Sequence, residues 1–155
     1  RAIREKEIIV NGGDQKRPNI HIDDITDLYL NLLTTPKELI SGEVFNYGGK
    51  NHTVNELASI VKSSLGNPEI NIINKPSTKD SRSYSISSEK IRYLLGYYPK
   101  KTIQDAVLDL KQAFETGKIP SPESPTYRNV AKMKEMGHWD FMNREDYIDL
   151  DYLKG

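Results

Sequence analysis

Apolar residues recur along this chain in two rhythms. Ile25, Leu28, Tyr29, Leu32 and Leu33 fall three and four residues apart, which predicts one face of a helix. That helix is expected to start at Asp23 or Asp24, carboxylates suited to its positive end, and to stop before Pro36. Leu57, Ile60, Val61 and Leu65 repeat the rhythm behind Thr53-Val54-Asn55-Glu56, a capping box in which hydroxyl and carboxylate satisfy orphan backbone N–H groups. Gly66-Asn67-Pro68 closes that helix. Two more are expected over 88–95, ended by Gly96, and over 103–116, opened by a Thr102-x-x-Asp105 box and ended by Gly117. The other rhythm is short and β-prone: 7–10, closed by Asn11-Gly12-Gly13-Asp14; 19–22, with His21 as a strand residue; 43–47, closed by Gly48-Gly49; and 70–73. The pattern is α/β, mostly helical with a few short strands. It contains no internal repeat.

The ends and the middle break the pattern. The chain opens Arg1-Ala2-Ile3-Arg4-Glu5-Lys6, without Met or an N-cap, on what reads as the tail of a helix, so an upstream segment is expected. Residues 75–90 are polar and Ser-rich, either a linker or a binding loop. Beyond Ile119 come Pro120, Pro122 and Pro125, then a stretch in which five acids from Asp140 onward face only Arg144 and Lys154. Residues 119–155 are expected to form an arm with aromatic anchors such as Trp139, Phe141 and Tyr147.

Composition narrows the function. At 155 residues the chain is one domain or one lobe of a larger one. Its 22 basic and 22 acidic residues leave no excess charge to neutralise a phosphate backbone, which argues against broad nucleic-acid binding. The hydrophobic fraction, 36%, is low for a globular domain, so a thin core is expected, a hint of a part separated from its whole. No cysteine is present, which removes thiolate nucleophiles, thiolate metal sites and disulfides and fits a reducing, cytosolic setting. No apolar run is long enough to cross a bilayer. In a cytosolic protein the sequon Asn51-His52-Thr53 is an accident.

Several catalytic motifs fail on context. Tyr97-x-x-x-Lys101 has the spacing by which a lysine lowers a phenol pKa, but only on a helix, and Pro99 lies between the two. Ser87-x-x-Lys90 imitates a nucleophile pair where a helix cap is required. His21, His52 and His138 share no ligand spacing, so no metal site is expected. What remains is binding chemistry. Gly12, Gly13, Asp14, Gln15 and Arg17 join two extended segments, and the guanidinium fork suits phosphate oxygens. Lys79, Asp80 and Arg82 add two cations beside a carboxylate suited to ribose hydroxyls. Solvated surface loops have the same composition.

Three strings, NGGDQKRPNIHIDDITDLYLNLL, GEVFNYGGKNHTVNELASIV and DSRSYSISSEKIRYLLGYYPKKTIQDAVLDLKQAF, resemble in order and spacing the C-terminal half of the extended short-chain dehydrogenase/reductases, the NAD-dependent nucleotide-sugar epimerases and dehydratases. The resemblance covers residues 1–117. It implies the C-terminal, substrate lobe of a Rossmann-type fold over 1–118, with the last Rossmann strand near 43–48 and an arm over 119–155. By resemblance Arg17 contacts the nucleotide diphosphate, Val10 and Asn11 lie near the base, and Asp80 holds the ribose. Pro18 stands where the family has Asp, and Ser77 where it has a second phosphate-binding Arg, a role left to Lys79 or Arg82.

The family's Gly-rich NAD loop and its Tyr-x-x-x-Lys helix belong upstream and are not in these residues. The resemblance therefore implies no catalytic residue here, NAD as the cofactor of the parent enzyme, and a nucleoside-diphosphate sugar and the missing N-terminal half as partners. A homodimer is open to the parent. The rival readings are a non-catalytic dinucleotide-fold sensor or scaffold and a free-standing interaction module. The upstream sequence separates them.

Overall fold

The computed structural model describes residues 1–76 and 82–137. It divides into two compact units, residues 1–113 and 114–155. In the first, the elements run β1 (Glu7–Asn11), β2 (Lys16–Pro18), α1 (Ile22–Leu32), α2 (Lys37–Ile40), β3 (Asn51–Thr53), α3 (Val54–Leu65), β4 (Asn71–Lys75), α4 (Glu89–Leu95) and α5 (Ile103–Glu115), which ends across the division. The strands form two ribbons. β1 and β4 are parallel, with Glu7 opposite Asn71 and Val10 opposite Asn74, and Gly12 N–H extends the ladder to the Lys75 carbonyl at 2.8 Å. β2 and β3 are antiparallel, with Arg17 opposite His52. The second unit, within its described residues, holds a 3₁₀ turn (Pro125–Tyr127) capped by the Ser124 hydroxyl, and α6 (Asn129–Glu135).

Helix ends follow local chemistry closely. The Thr53–Glu56 capping box is closed in both directions, at 3.1 and 2.7 Å, and the Thr102–Asp105 box likewise at 3.2 and 2.7 Å. Gly66 and Gly96 end α3 and α4 in the left-handed conformation. The core is thin. Among the described residues the buried apolar side chains are Val10, Leu28, Ala58, Ile70 and Ile91, while Ile22, Tyr29 and Leu30 on α1 and its C-cap Leu33 stand exposed.

Three expectations need correction. Residues 43–47, read as a compact strand, carry no ladder here, and among the described residues no strand pairs with them. Side chains take over part of the backbone bonding over 43–48: Lys90 Nζ donates to the Val44 carbonyl at 3.0 Å, and the Ser88 hydroxyl bonds both N–H and C=O of Gly48. The cap of α1 is neither Asp23 nor Asp24 but His21, whose Nδ1 accepts the Asp23 N–H at 3.1 Å. The extended run 19–22 is not a strand, since pairing with β3 ends at Pro18, which has no N–H to donate. At the start of the chain, residues 2–5 form a turn closed by one Glu5 N–H to Arg1 carbonyl bond at 2.7 Å, the i-to-i+4 spacing of a single helical turn.

Candidate functional site

β2 organises the candidate site residues because both of its flanks are engaged. On one side lies β3. On the other, residues 82–86 are fixed by reciprocal bonds: Lys16 N–H to the Ser83 hydroxyl at 2.9 Å, and Tyr84 N–H to the Lys16 carbonyl at 3.0 Å. Asn51, at the end of β3, holds Ile86 through both its side-chain amide groups, at 2.9 and 3.1 Å. The described end of the Ser-rich stretch is thus built into the lobe.

This arrangement brings Arg17 and Arg82 together at one aromatic ring. The Arg17 guanidinium carbon lies 5.3 Å from the Tyr84 ring centroid and that of Arg82 5.8 Å. Arg17 Nη1 also donates to the carbonyls of Lys16 and Arg82, at 2.9 and 2.6 Å. Asp80, with Ser77 and Lys79, lies outside the described residues. Val10 is 1% exposed and presents its side chain to the core. Asn11 is exposed, and its carbonyl accepts Gln15 Nε2 at 2.7 Å. Gln15 also takes the Gly13 N–H at 2.6 Å, cross-bracing the turn between β1 and β2. The contact of Tyr84 with Arg82 has a signal in the sequence, an aromatic two positions after an arginine.

The motifs judged accidental do separate. The Tyr97 hydroxyl meets the Thr35 hydroxyl at 3.3 Å, while Lys101 Nζ pairs with Asp23 at 2.5 Å and Asp109 at 3.5 Å. Lys101 holds the Asp23 carboxyl below its ordinary range, and Asp23 raises the lysine in return. Lys90 pairs with Glu43, and the Ser87 hydroxyl accepts the Glu89 N–H at 3.3 Å, although the N-cap of α4 is Ser88, not Ser87 as expected. His21 Nε2 lies 3.2 Å from Asp109. His21, Asp23 and Asp109 are close enough to hold a cation, but the Lys101 ammonium already supplies the positive charge there.

A cleft of about 930 Å³ opens beside this cluster, lined by Asn19, His21, His52, Asn55, Lys101 and Gln104 among others. His52, whose Nδ1 is buried without a partner, is the cross-strand neighbour of Arg17, but neither Arg17 nor Arg82 lines the cleft.

NAD does not fit the residues present. No G-x-G-x-x-G string occurs in the sequence. The two-glycine turn offers no cradle in its place, since a Cβ on Gly13 would lie 2.4 Å from the Asn55 side chain, which fills that space.

No protein-family model and no curated protein sequence matches the chain. Solved structures do. The UDP-glucose 4-epimerase of Thermotoga maritima, in complex with UDP-glucose, aligns with a TM-score of 0.59 and 26% identity over 71% of this chain and 35% of its own. An L-threonine dehydrogenase from Phytophthora infestans aligns at 0.64 and 16% identity over 74% and 38%, and the dTDP-glucose 4,6-dehydratase of Bacillus anthracis, in complex with NAD, at 0.58 and 24% over 76% and 37%. The chain spans little more than a third of the length of these structures. Two short ribbons, helices with both capping boxes and this set of neighbours together place the chain within part of the Rossmann-type fold of the extended short-chain dehydrogenase/reductases.

Proposed function

We propose that this chain is the nucleotide-sugar-binding portion of an NAD-dependent epimerase or dehydratase. The observation that carries the reading is the meeting of Arg17 and Arg82 at Tyr84, on a fold shared at 26% identity with an epimerase solved with UDP-glucose. Two guanidiniums supply the charge and the planar donor geometry that a diphosphate needs. Asp80 takes the ribose hydroxyls, and the end of β1 at Val10 and Asn11 flanks the base, Val10 through its backbone because its side chain is in the core. Residues 1–118 form this lobe, and the upstream half of the enzyme supplies NAD and the catalytic groups. Gripping the nucleoside diphosphate away from the reacting carbon orients the sugar, so that remote binding energy is converted into positioning. The isolated chain is expected to bind a nucleoside diphosphate, but neither NAD nor a turnover cycle.

Titration of UDP, CDP, GDP and dTDP into the 155-residue chain, followed by ligand-observed NMR, tests this. A saturable signal with at least one, lost in Arg17→Ala, supports it. No saturable signal with any of the four, or one indifferent to Arg17→Ala, overturns it.

A further inference from the structure

Tyr84 has no charge, yet it is where the two cations converge. Its position is set by the backbone: Tyr84 N–H bonds the Lys16 carbonyl at 3.0 Å, the preceding Ser83 hydroxyl takes the Lys16 N–H at 2.9 Å, and the Arg82 carbonyl accepts Arg17 Nη1 at 2.6 Å. The backbone that bears the ring is therefore fixed to the strand that carries Arg17, and the ring itself is half-exposed. Each guanidinium lies over this electron-rich ring, at 5.3 and 5.8 Å from its centroid, where the ring attracts the cation. A neutral platform that collects two cations before any ligand arrives is a pre-organised anion site, because less side-chain entropy is then lost on binding.

We infer that Tyr84 is a positioning residue, whose ring aims Arg17 and Arg82 at the diphosphate of the ligand. The inference rests on the nucleotide-sugar reading and adds a residue that acts through the arginines. It is the ring that does this, not the hydroxyl. Phenylalanine should therefore serve, and leucine, apolar and of comparable length, should not.

The test compares the unaltered chain with Tyr84→Phe and Tyr84→Leu, measuring dissociation constants for UDP, CDP, GDP, dTDP and inorganic pyrophosphate. The δ-methylene proton shifts of Arg17 and Arg82, which a nearby ring displaces, are recorded in parallel. Tyr84→Leu is expected to weaken the nucleoside diphosphates and pyrophosphate alike by about 3- to 30-fold and to return the arginine shifts to ordinary values. Tyr84→Phe should keep both within about 2-fold of the starting values. A lost fold would spoil Phe and Leu variants together or change the whole spectrum, so rescue by Phe separates positioning from structure. If the unaltered chain binds and Tyr84→Leu binds equally well, the inference falls while the nucleotide reading stands. If the unaltered chain binds none of the five, both fall.

Discussion

Asp24 accepts the backbone N–H of Lys101 at 3.0 Å through one carboxylate oxygen, and that of Lys100 at 2.9 Å through the other. It is 4% exposed, and so ties the first turn of α1 to the segment entering α5 from a buried position. Replacing it with alanine leaves two donors unsatisfied in a buried site. Since hydrogen bonds to charged groups contribute ~1.5–3 kcal/mol each, Asp24→Ala is expected to lower stability by about 3–5 kcal/mol, with Asp24→Asn, which keeps one acceptor, losing less. Urea denaturation followed by circular dichroism measures both.

The capping box at Thr53 gives a smaller, cleaner effect. Thr53→Ala removes the acceptor of the Glu56 N–H and should cost ~1 kcal/mol, while Thr53→Ser should be close to neutral. The box also has a pH signature. The Thr53 N–H holds the Glu56 carboxyl below its ordinary value of 4.5, so the stabilisation is complete above that value and is lost as pH falls through the lower folded-state pKa. In Glu56→Gln, which removes the titrating carboxylate, the acid limb of the stability–pH curve should change shape, and a curve superimposable on that of the unaltered chain would contradict the box.

Lys101 bridges α1 and α5 through Asp23 and Asp109, and its two pKa displacements have opposite signs. Asp23 is lowered by the Lys101 hydrogen bond, so its contribution is present above 3.8 and fades at more acidic pH. Lys101 is raised, so its contribution is present below 10.5 and fades at more alkaline pH. Between those limits the bridge is pH-independent, and being exposed it is screened by salt. Lys101→Met should flatten both outer limbs and reduce the salt dependence of stability, read from melting temperatures across pH and ionic strength.

Gly13 is held by two constraints. Its φ of +128° is one that L side chains rarely adopt, and Asn55 occupies the space where a Cβ would go. Gly13→Ala is therefore expected to destabilise by more than 1 kcal/mol. Asn55→Ala in the same chain should recover only the steric part, because the backbone strain remains. Full recovery in the double variant, measured by denaturant midpoints, would mean that φ contributes nothing.

Local chemistry was legible in the sequence and tertiary chemistry was not. The Thr53–Glu56 and Thr102–Asp105 boxes and the Gly96 stop are decided within one turn of chain, and the structure has them where the spacing predicts. The cap of α1 escaped because Asp23 and Asp24 are the better cap residues by type, yet Asp24 is drawn into a bond with Lys100 and Lys101, far along the chain, which leaves the imidazole of His21 to cap. The run 43–48 has β-prone residues, but a strand is a property of pairs. Of the candidate site, Arg17 and Arg82 are proposed as phosphate contacts from the sequence alone. Their convergence is not, because it depends on the register that brings residues 82–84 beside β2.

Helix α1 has apolar residues on two sides, and the two should respond differently to truncation. Leu28 is 6% exposed and belongs to the core, so Leu28→Ala is expected to cost ~2–5 kcal/mol through lost burial and the cavity left behind. Leu33, at the helix end and 81% exposed, makes no comparable contribution; Leu33→Ala should stay within ~0.5 kcal/mol. Ile22 and Tyr29, 69% and 66% exposed, are spaced to share a stripe with Leu33. An uncovered apolar stripe favours association, so a chain carrying Ile22→Ser and Leu33→Ser should sediment with less self-association than the unaltered one while unfolding at the same urea concentration. Equal losses of stability for Leu28→Ala and Leu33→Ala would place both faces of α1 in packed surroundings and refute the exposed stripe.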